Sequence, residues 1–335
     1  MDVLCKVYNL YPCGEEVATV RQFFWAAVIL SWVLTFVPQG GGRRRNYSIV
    51  DRVWPLFPLM LVVQWMYHQH SVSQQFSSKA LVAASLVTAW SLRLTYNSIR
   101  RGDYALGAED YRWAYVRKWF DCVLGTHGVL RTVGWEVYNF GFISLFQLGL
   151  LYQISVPVRQ VITTTVGDSE DVWSISQVAL VVLMSLLLVA EAIADQQQYE
   201  FQRLKRPGAL ESAEIDRDYA QSRSAEVKAG FVYSGLWRFT RHPNLFCEQV
   251  FWTTMALFAA AVTATAGKCE YNLLVGPALL IALMWGSVEL TESISLAKYP
   301  LYRAYQLKTS RLVPCLPRTN AQVVGNAHKR HKKSK

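Results

Sequence analysis

The stretch Gly235–Trp252, GLWRFTRHPNLFCEQVFW, concentrates side chains that can bind a charged and planar ligand. Two arginines can hold a pyrophosphate in bidentate fashion, an indole can stack on a nucleobase, and an asparagine can bind an amide or a ribose hydroxyl. Each residue type alone is ordinary where an apolar helix meets water. Their combination indicates a ligand site, whose members are Trp237, Arg238, Arg241, His242, Asn244 and Glu248.

Carboxylates also lie within or at the ends of apolar segments, where an unpaired charge is costly. They are Glu191, Asp195, Glu248, Glu289 and Glu292. Some could pair with arginines and lock a helix bundle, and for Glu191 and Glu289 this reading is as good as a functional one. No metal site is expected, because the six cysteines form no CxxC pair and show no metal-ligand spacing. The sequence also contains no HExxH, P-loop or Ser-His-Asp arrangement.

The elements that carry these residues read as membrane helices. The chain has 335 residues, 52% hydrophobic and 17% charged, against roughly a quarter charged in soluble domains. A soluble bundle is disfavoured because a run such as VALVVLMSLLLVAEAIA has no polar face. The sequence predicts an all-α fold, a polytopic integral membrane helix bundle of about seven transmembrane helices. The apolar windows are Phe23–Val37, Val53–Tyr67, Lys79–Tyr96, Val137–Val156, Val172–Ala194, Glu248–Ala266 and Asn272–Leu290.

The basic residues lie on one side of such a bundle. One alternating set of connections carries 27 lysines and arginines, whereas the opposite set carries four. Because Lys and Arg accumulate in cytosolic loops, the N-terminus is predicted to be lumenal and the C-terminus cytosolic. The net charge of +10 is therefore read as a determinant of topology and not as a nucleic-acid surface.

The two ends of the chain carry signals of location. Lys332 and Lys333 form the dilysine pattern that retrieval machinery reads on cytosolic tails, which predicts the endoplasmic reticulum membrane. A basic tail can also simply anchor to anionic lipid. Cys5 and Cys13 would lie in an oxidising lumen, where a disulfide and two free thiols both stay open. No cleavable signal peptide is evident, so the first span is predicted to act as its own insertion signal.

Several segments together resemble the steroid 5α-reductase-like family of membrane oxidoreductases, relatives of the sterol reductases and the isoprenylcysteine methyltransferases. The GLWRFTRHPN motif from Gly235 is joined by Gly107–Arg117 (GAEDYRWAYVR), Glu191–Phe201 (EAIADQQQYEF) and Glu292–Pro317. The resemblance runs from about residue 90 to 318. It predicts N-terminal spans over 1–90, a reductase-like membrane domain with a cytosolic cofactor site over 91–318, and a basic tail over 319–335.

This resemblance implies an NAD(P)H-dependent reductase acting on a carbon–carbon double bond of a lipid or steroid-like substrate that enters from the bilayer. NADPH is the expected cofactor, with NADH as the alternative, because Gln198 stands where the family often has Lys. Arg203 or Lys205 would have to replace that phosphate contact. The residues that match the cofactor site are Asp195, Gln197, Arg203, Lys205, Trp237, Arg238, Arg241, His242, Asn244, Glu248, Glu292, Tyr299 and Tyr305.

A reductase of this kind also needs a proton donor that polarises the substrate. A phenol suits this role, because it can donate a hydrogen bond to a developing enolate. Tyr111, with Glu109 and Asp110 beside it, is the predicted catalytic group. The alternative for this segment, a solvated helix start with Asp and Arg pairs, is at least as good.

Two other functions stay open. Isoprenylcysteine and phospholipid methyltransferases also use an R-H-P segment, but bind S-adenosylmethionine and typically carry adjacent glutamates in the last span. Here Glu289 and Glu292 are separated and Asn244 follows the R-H-P, which favours the reductase. The third reading is a non-catalytic sterol- or lipid-binding scaffold, for which the change at Gln198 leaves room. No protein partner beyond the retrieval machinery is indicated.

Overall fold

The computed structural model describes residues 15–37, 45–126, 128–164, 172–206, 217–265 and 272–318. Within these ranges the chain is helical, and the β-structure is limited to an isolated bridge between Thr240 and Ser310. The helices are α1 (Glu15–Leu34), α2 (Ile49–Val53), α3 (Phe57–Ser73), α4 (Ser78–Arg101), α5 (Tyr111–Leu124), α6 (Val129–Tyr138), a π-helix (Asn139–Phe146), α7 (Gln147–Thr164), α8 (Ile175–Leu204), α9 (Arg217–Ser222), α10 (Ser224–Ala229), a 3₁₀ turn (Gly235–Arg238), α11 (Pro243–Thr265), α12 (Val275–Lys298) and α13 (Tyr302–Lys308).

The protein is a multi-pass membrane protein by the length and composition of its helices. Among the described residues, four helices are long and apolar enough to cross a bilayer: Val129–Thr164, Ile175–Leu204, Pro243–Thr265 and Val275–Lys298. A shorter apolar helix covers Ala18–Leu34. Each of the seven predicted windows overlaps a helix, but the helices of the first three windows, α1, α3 and α4, are not among these four. The helix is interrupted between α2 and α3, beside Pro55 and Pro58.

The chain divides into two compact units. The first unit comprises Met1–Met184 and Trp252–Ile281, and the second comprises Ser185–Phe251 and Ala282–Lys335. In the first unit α7 contributes a fully buried apolar face. Gly276 lies so close to the backbone at Gln153 that a Cβ there would overlap it, so only glycine permits this approach.

In the second unit, the elements that matter for the site are the C-terminal turns of α8, the loop that leads into α11, the end of α12 and the short helix α13. Pro243 is the first residue of α11, where its missing N–H costs no hydrogen bond. Phe201, Val232 and Trp237 form a small buried cluster that joins the α8 end to this loop.

Candidate functional site

The 3₁₀ turn Gly235–Arg238 is fixed on the end of α8 by side chains. The Trp237 indole donates to the Ala194 carbonyl at 3.2 Å, and the Gln197 side-chain oxygen accepts from Leu236 N at 3.0 Å. Gly235 has φ +60, and a Cβ at this position would overlap the Gln197 amide. The glycine of the motif is therefore required by both backbone conformation and space.

Arg241 and His242 converge on one buried carboxylate. Arg241 Nε lies 2.6 Å from Glu292 Oε1 and its Nη2 lies 3.1 Å from Glu292 Oε2. His242 Nε2 lies 3.1 Å from Glu292 Oε1, and Gln306 donates to Oε2 at 2.9 Å. The remaining Arg241 nitrogen donates to the carbonyls of Gln306 and Thr309. All three guanidinium nitrogens of Arg241 thus form hydrogen bonds within the protein. The Arg241–Glu292 ion pair holds the motif loop against α12 and α13.

Lys205 and Tyr299 form a second polar contact. Lys205 Nζ donates to the Tyr299 hydroxyl at 2.8 Å and to the Gly230 carbonyl at 3.0 Å. Gly230 has φ +89, and the Tyr299 ring fills the space where a Cβ would stand. Partial burial works to raise the pKa of the Tyr299 phenol, but the hydrogen bonds and charges of Lys205 and Lys298 outweigh it and hold that pKa below its usual value.

Tyr305 contacts the backbone of the motif loop. Its hydroxyl donates to the Trp237 carbonyl, and its ring stacks on Phe231 with centroids 5.3 Å apart. Burial raises the pKa of the Tyr305 phenol well above its usual value. Tyr305 therefore stays protonated and acts as a fixed hydrogen-bond donor to the motif backbone.

Three further predicted residues lie at the start of α11 and in α8. Asn244 Nδ2 lies 3.4 Å from Asp195 Oδ1, and Asp195 and Glu248 are both buried. In contrast, Arg238 is exposed and Arg203 is half-buried. All the predicted cofactor residues belong to the second unit, where the central ones bond to the protein and Arg238 is exposed.

One contributor was not predicted from the sequence. Buried Glu226 accepts from the backbone N–H of Tyr233 and of Ser234, at 2.9 and 2.8 Å, and pairs with Arg223 Nε at 2.7 Å. Arg223 also donates to the Ser234 hydroxyl. This cluster shapes the chain just before Gly235. The one sequence signal is the Arg223–Glu226 spacing, which suits an i,i+3 ion pair on a helical turn.

The predicted proton-donor segment lies in the first unit, where two of its three residues have structural partners. Asp110 caps α5 by accepting from Arg112 N at 2.8 Å and pairs with the Arg112 side chain at 2.9 Å. Glu109 accepts from Arg117 at 2.7 and 2.8 Å. The Tyr111 side chain is 53% exposed. No group of three or more potential metal ligands is found among the described residues.

Comparison with known proteins finds a matching family and a similar protein. The family described as "Protein of unknown function (DUF1295)" matches residues 41–309. An uncharacterized protein of Schizosaccharomyces pombe is 31% identical over 303 residues, which cover 90% of this chain and 82% of the relative. No solved structure matches significantly.

Proposed function

Because the chain belongs to the DUF1295 family, and because its motifs resemble those of the steroid 5α-reductases, we propose that it is an NAD(P)H-dependent membrane reductase of a carbon–carbon double bond in a lipid. The observation that supports this most is the convergence of three distant segments in the second unit. The α8 end, the Gly235–His242 loop and Tyr299–Thr309 are joined by direct hydrogen bonds.

The donors and acceptors of the second unit fit a nicotinamide nucleotide, but not in the roles that the motif alone suggests. Arg241 and His242 position the loop through Glu292. Arg238, at the exposed end of the same turn, is the arginine that would contact the phosphates, with Arg203 as the second cation. Gln198 Oε1 is buried and has no partner among the described residues, so it can accept from a ribose hydroxyl.

The bound nucleotide would supply a hydride, and the protein must then supply a proton. Tyr111 is the donor proposed from the sequence. Tyr299 is a second candidate, because Lys205 holds its phenol by a hydrogen bond and stabilises the phenolate that remains after proton transfer. Both phenols stay in the proposal, and their separate substitution distinguishes them.

We further propose seven spans, a lumenal N-terminus, a cytosolic C-terminus and location in the endoplasmic reticulum. The charge asymmetry of the connections and the overlap of all seven windows with helices support this arrangement. The tail with Lys332 and Lys333, like Cys5 and Cys13, lies outside the described residues. A nucleotide site on the cytosolic side would meet NADPH directly, while the lipid enters from the bilayer.

The scaffold function is the second candidate. It is favoured because every guanidinium nitrogen of Arg241 already bonds to a protein atom. A loop whose central arginine and histidine already bond Glu292 can be held in place without any ligand. A scaffold of this kind would keep the family fold and bind lipid, but it would show no stabilisation by a nucleotide.

A thermal-shift titration of detergent-purified protein with NADPH, NADH and S-adenosylmethionine tests the proposal. A ligand at 100 times its dissociation constant stabilises by about 2.7 kcal/mol. We expect NADPH to raise the melting temperature, and Arg238→Ala to weaken this effect while leaving the ligand-free melting temperature nearly unchanged. A shift with S-adenosylmethionine alone would assign the protein to the methyltransferases, and no shift would favour the scaffold.

Arg241→Ala serves as the matched comparison. Removal of one partner from a buried ion pair typically costs about 3–5 kcal/mol, because the other charge is left buried and unpaired. Arg241→Ala should therefore lower the melting temperature of the ligand-free protein, which separates a positioning residue from one that contacts the nucleotide. An Arg241→Ala protein that is as stable as the wild type would contradict the positioning role.

A further inference from the structure

We propose that helix α5 lies in the headgroup layer of the membrane, where its exposed aromatic face binds the bilayer surface and Lys118 attracts anionic phospholipid. This surface belongs to the first unit, whereas the predicted cofactor residues all belong to the second. It is a contact with the membrane as a surface, separate from any lipid that is reduced. The proposal therefore goes beyond the reductase function and does not depend on it.

One face of α5 is exposed and carries mostly aromatic and apolar side chains. Four of its residues follow one another at a spacing of four, which places them along the same side of the helix. They are Tyr111, Tyr115, Trp119 and Val123, and their exposure is 44–60%. The opposite side carries Trp113 and Phe120, which are buried. Single exposed apolar residues are ordinary, whereas a continuous exposed face indicates an interaction surface.

The dimensions and charges of α5 exclude a transmembrane position. Its 14 residues extend over about 21 Å, which is short of the hydrocarbon core of about 30 Å. Four of these residues are charged: Arg112, Arg117, Lys118 and Asp121. A short helix with one apolar face and one charged face is suited to lie within the membrane interface.

The end of α5 is held against a helix that is apolar enough to cross the bilayer. α5 ends at Leu124, and the apolar helix Val129–Thr164 begins a few residues later. The Phe120 ring lies 5.0 Å from the Trp135 ring, and Asp121 pairs with Arg131 at 2.8 Å. The first part of that apolar helix has its own exposed stripe at a spacing of four, formed by Val129, Val133 and Val137. The attachment therefore places α5 near the point where the chain enters the membrane.

Lys118 is the cation that α5 leaves for a partner outside the protein. The other three charged side chains of the helix form ion pairs at 2.7–2.9 Å, which are Arg112–Asp110, Arg117–Glu109 and Asp121–Arg131. Lys118 is exposed and pairs with no carboxylate of the described residues. Its Nζ lies 5.8 Å from the centroid of the Tyr115 ring, on the aromatic face. An anionic headgroup complements this arrangement.

The composition of this face favours lipid over a second protein chain. Tyrosine and tryptophan are enriched where membrane proteins meet the headgroups, because each ring has an apolar body and a polar group. A lysine can lay its apolar stem along such a surface while its ammonium reaches a phosphate. Protein–protein interfaces are enriched in the same aromatic residues but depleted in lysine.

The test uses Cys122, which is exposed and lies one helical turn after Lys118 on the same face. A full-length variant that keeps only this cysteine is labelled with a fluorophore and placed in nanodiscs that hold one copy each. Phosphatidylserine or phosphatidylcholine with a nitroxide near the headgroup then serves as the quencher. We expect both lipids to quench, with half-maximal quenching at an about fivefold lower mole fraction of phosphatidylserine. The headgroup layer is hydrated, so a water-soluble maleimide still reaches Cys122.

Two substitutions separate the roles of charge and aromatic surface. Lys118→Gln should bring the two lipids to equal quenching, whereas Lys118→Arg should keep the preference for phosphatidylserine. Trp119→Gln should weaken quenching by both lipids, because it removes a ring that is 60% exposed on this face. Lys308→Gln is the matched control, since Lys308 is also an exposed lysine but lies on α13, and it should change nothing.

Three results would overturn the proposal. A fluorophore that is quenched by aqueous iodide and by neither lipid would place α5 in water. Lipid quenching that disappears in nanodiscs holding two copies would assign this face to a second copy of the chain. A phosphatidylserine preference that is absent in the wild type, or that survives in Lys118→Gln, would remove the proposed role of Lys118. The experiment contains no nucleotide, so its result is independent of the reductase function.

Discussion

The hydrogen bond between Lys205 and Tyr299 offers a direct test of proton transfer. A proton donor works in its protonated form, so the rate falls as the pH rises through its pKa. The pKa of Tyr299 lies below the usual value of a phenol, and the loss of rate should therefore begin at a lower pH than an unperturbed tyrosine gives. Lys205→Met removes the ammonium group that lowers this pKa and should move the alkaline limb of the kcat profile to higher pH.

Substitution of the two phenols completes this test. Tyr299→Phe should reduce kcat by about 10²–10⁴-fold, the usual contribution of general acid catalysis, while the stabilisation by NADPH persists. Tyr111→Phe, at an exposed position, should leave kcat nearly unchanged if Tyr299 is the donor. The reverse result would return the role to Tyr111, and an alkaline limb that survives in Tyr299→Phe would exclude Tyr299.

The residues of the site could be found from the sequence, but their partners could not. The density of Arg, His, Trp and Asn after Gly235 marks the loop without any structure. Nothing in the sequence links Arg241 to Glu292, because no periodicity joins residues 51 positions apart on different elements. The pairing of Lys205 with Tyr299 is equally remote, and each bond exists only because the tertiary structure brings α8, α12 and the loop together.

The 3₁₀ turn Gly235–Arg238 is the element on which the site depends most. Gly235→Ala would strain a backbone with φ +60 and push against the Gln197 amide. We expect a loss of about 1–3 kcal/mol in the free energy of unfolding, measured by thermal unfolding in detergent. Gly149→Ala in α7 is the control, since a Cβ there meets no atom within 4 Å. Equal effects of the two substitutions would contradict the close contact.

The long helices were predictable, whereas local departures from regular helix were not. Hydropathy and length locate α8, α11 and α12, and Pro243 marks a helix start by its chemistry alone. The π-helix Asn139–Phe146 lies inside one continuous apolar run and carries no signal of its own. Its extra residue per turn depends on packing against neighbouring helices, which no single-sequence pattern records.

Cysteine labelling tests the proposed topology of the molecule. Cys122 and Cys315 are free and exposed, and both lie in segments that the charge asymmetry assigns to the cytosol. In sealed microsomes with their cytosolic face outward, a membrane-impermeant maleimide should label single-cysteine variants of either residue without detergent. A variant that keeps only buried Cys247 is the control and should stay unlabelled. Labelling of Cys122 or Cys315 only after permeabilisation would reverse the orientation.

The hydrogen bonds of Arg241 also constrain the order in which the protein can fold during its synthesis. Its partners Glu292 and Thr309 follow it by 51 and 68 residues along the chain. Translation at about 5–20 residues per second leaves the guanidinium without either partner for several seconds. During that interval the loop cannot form the ion pair that fixes it in the folded protein. The motif is therefore among the last parts of the protein to mature, although most of the apolar helices precede it.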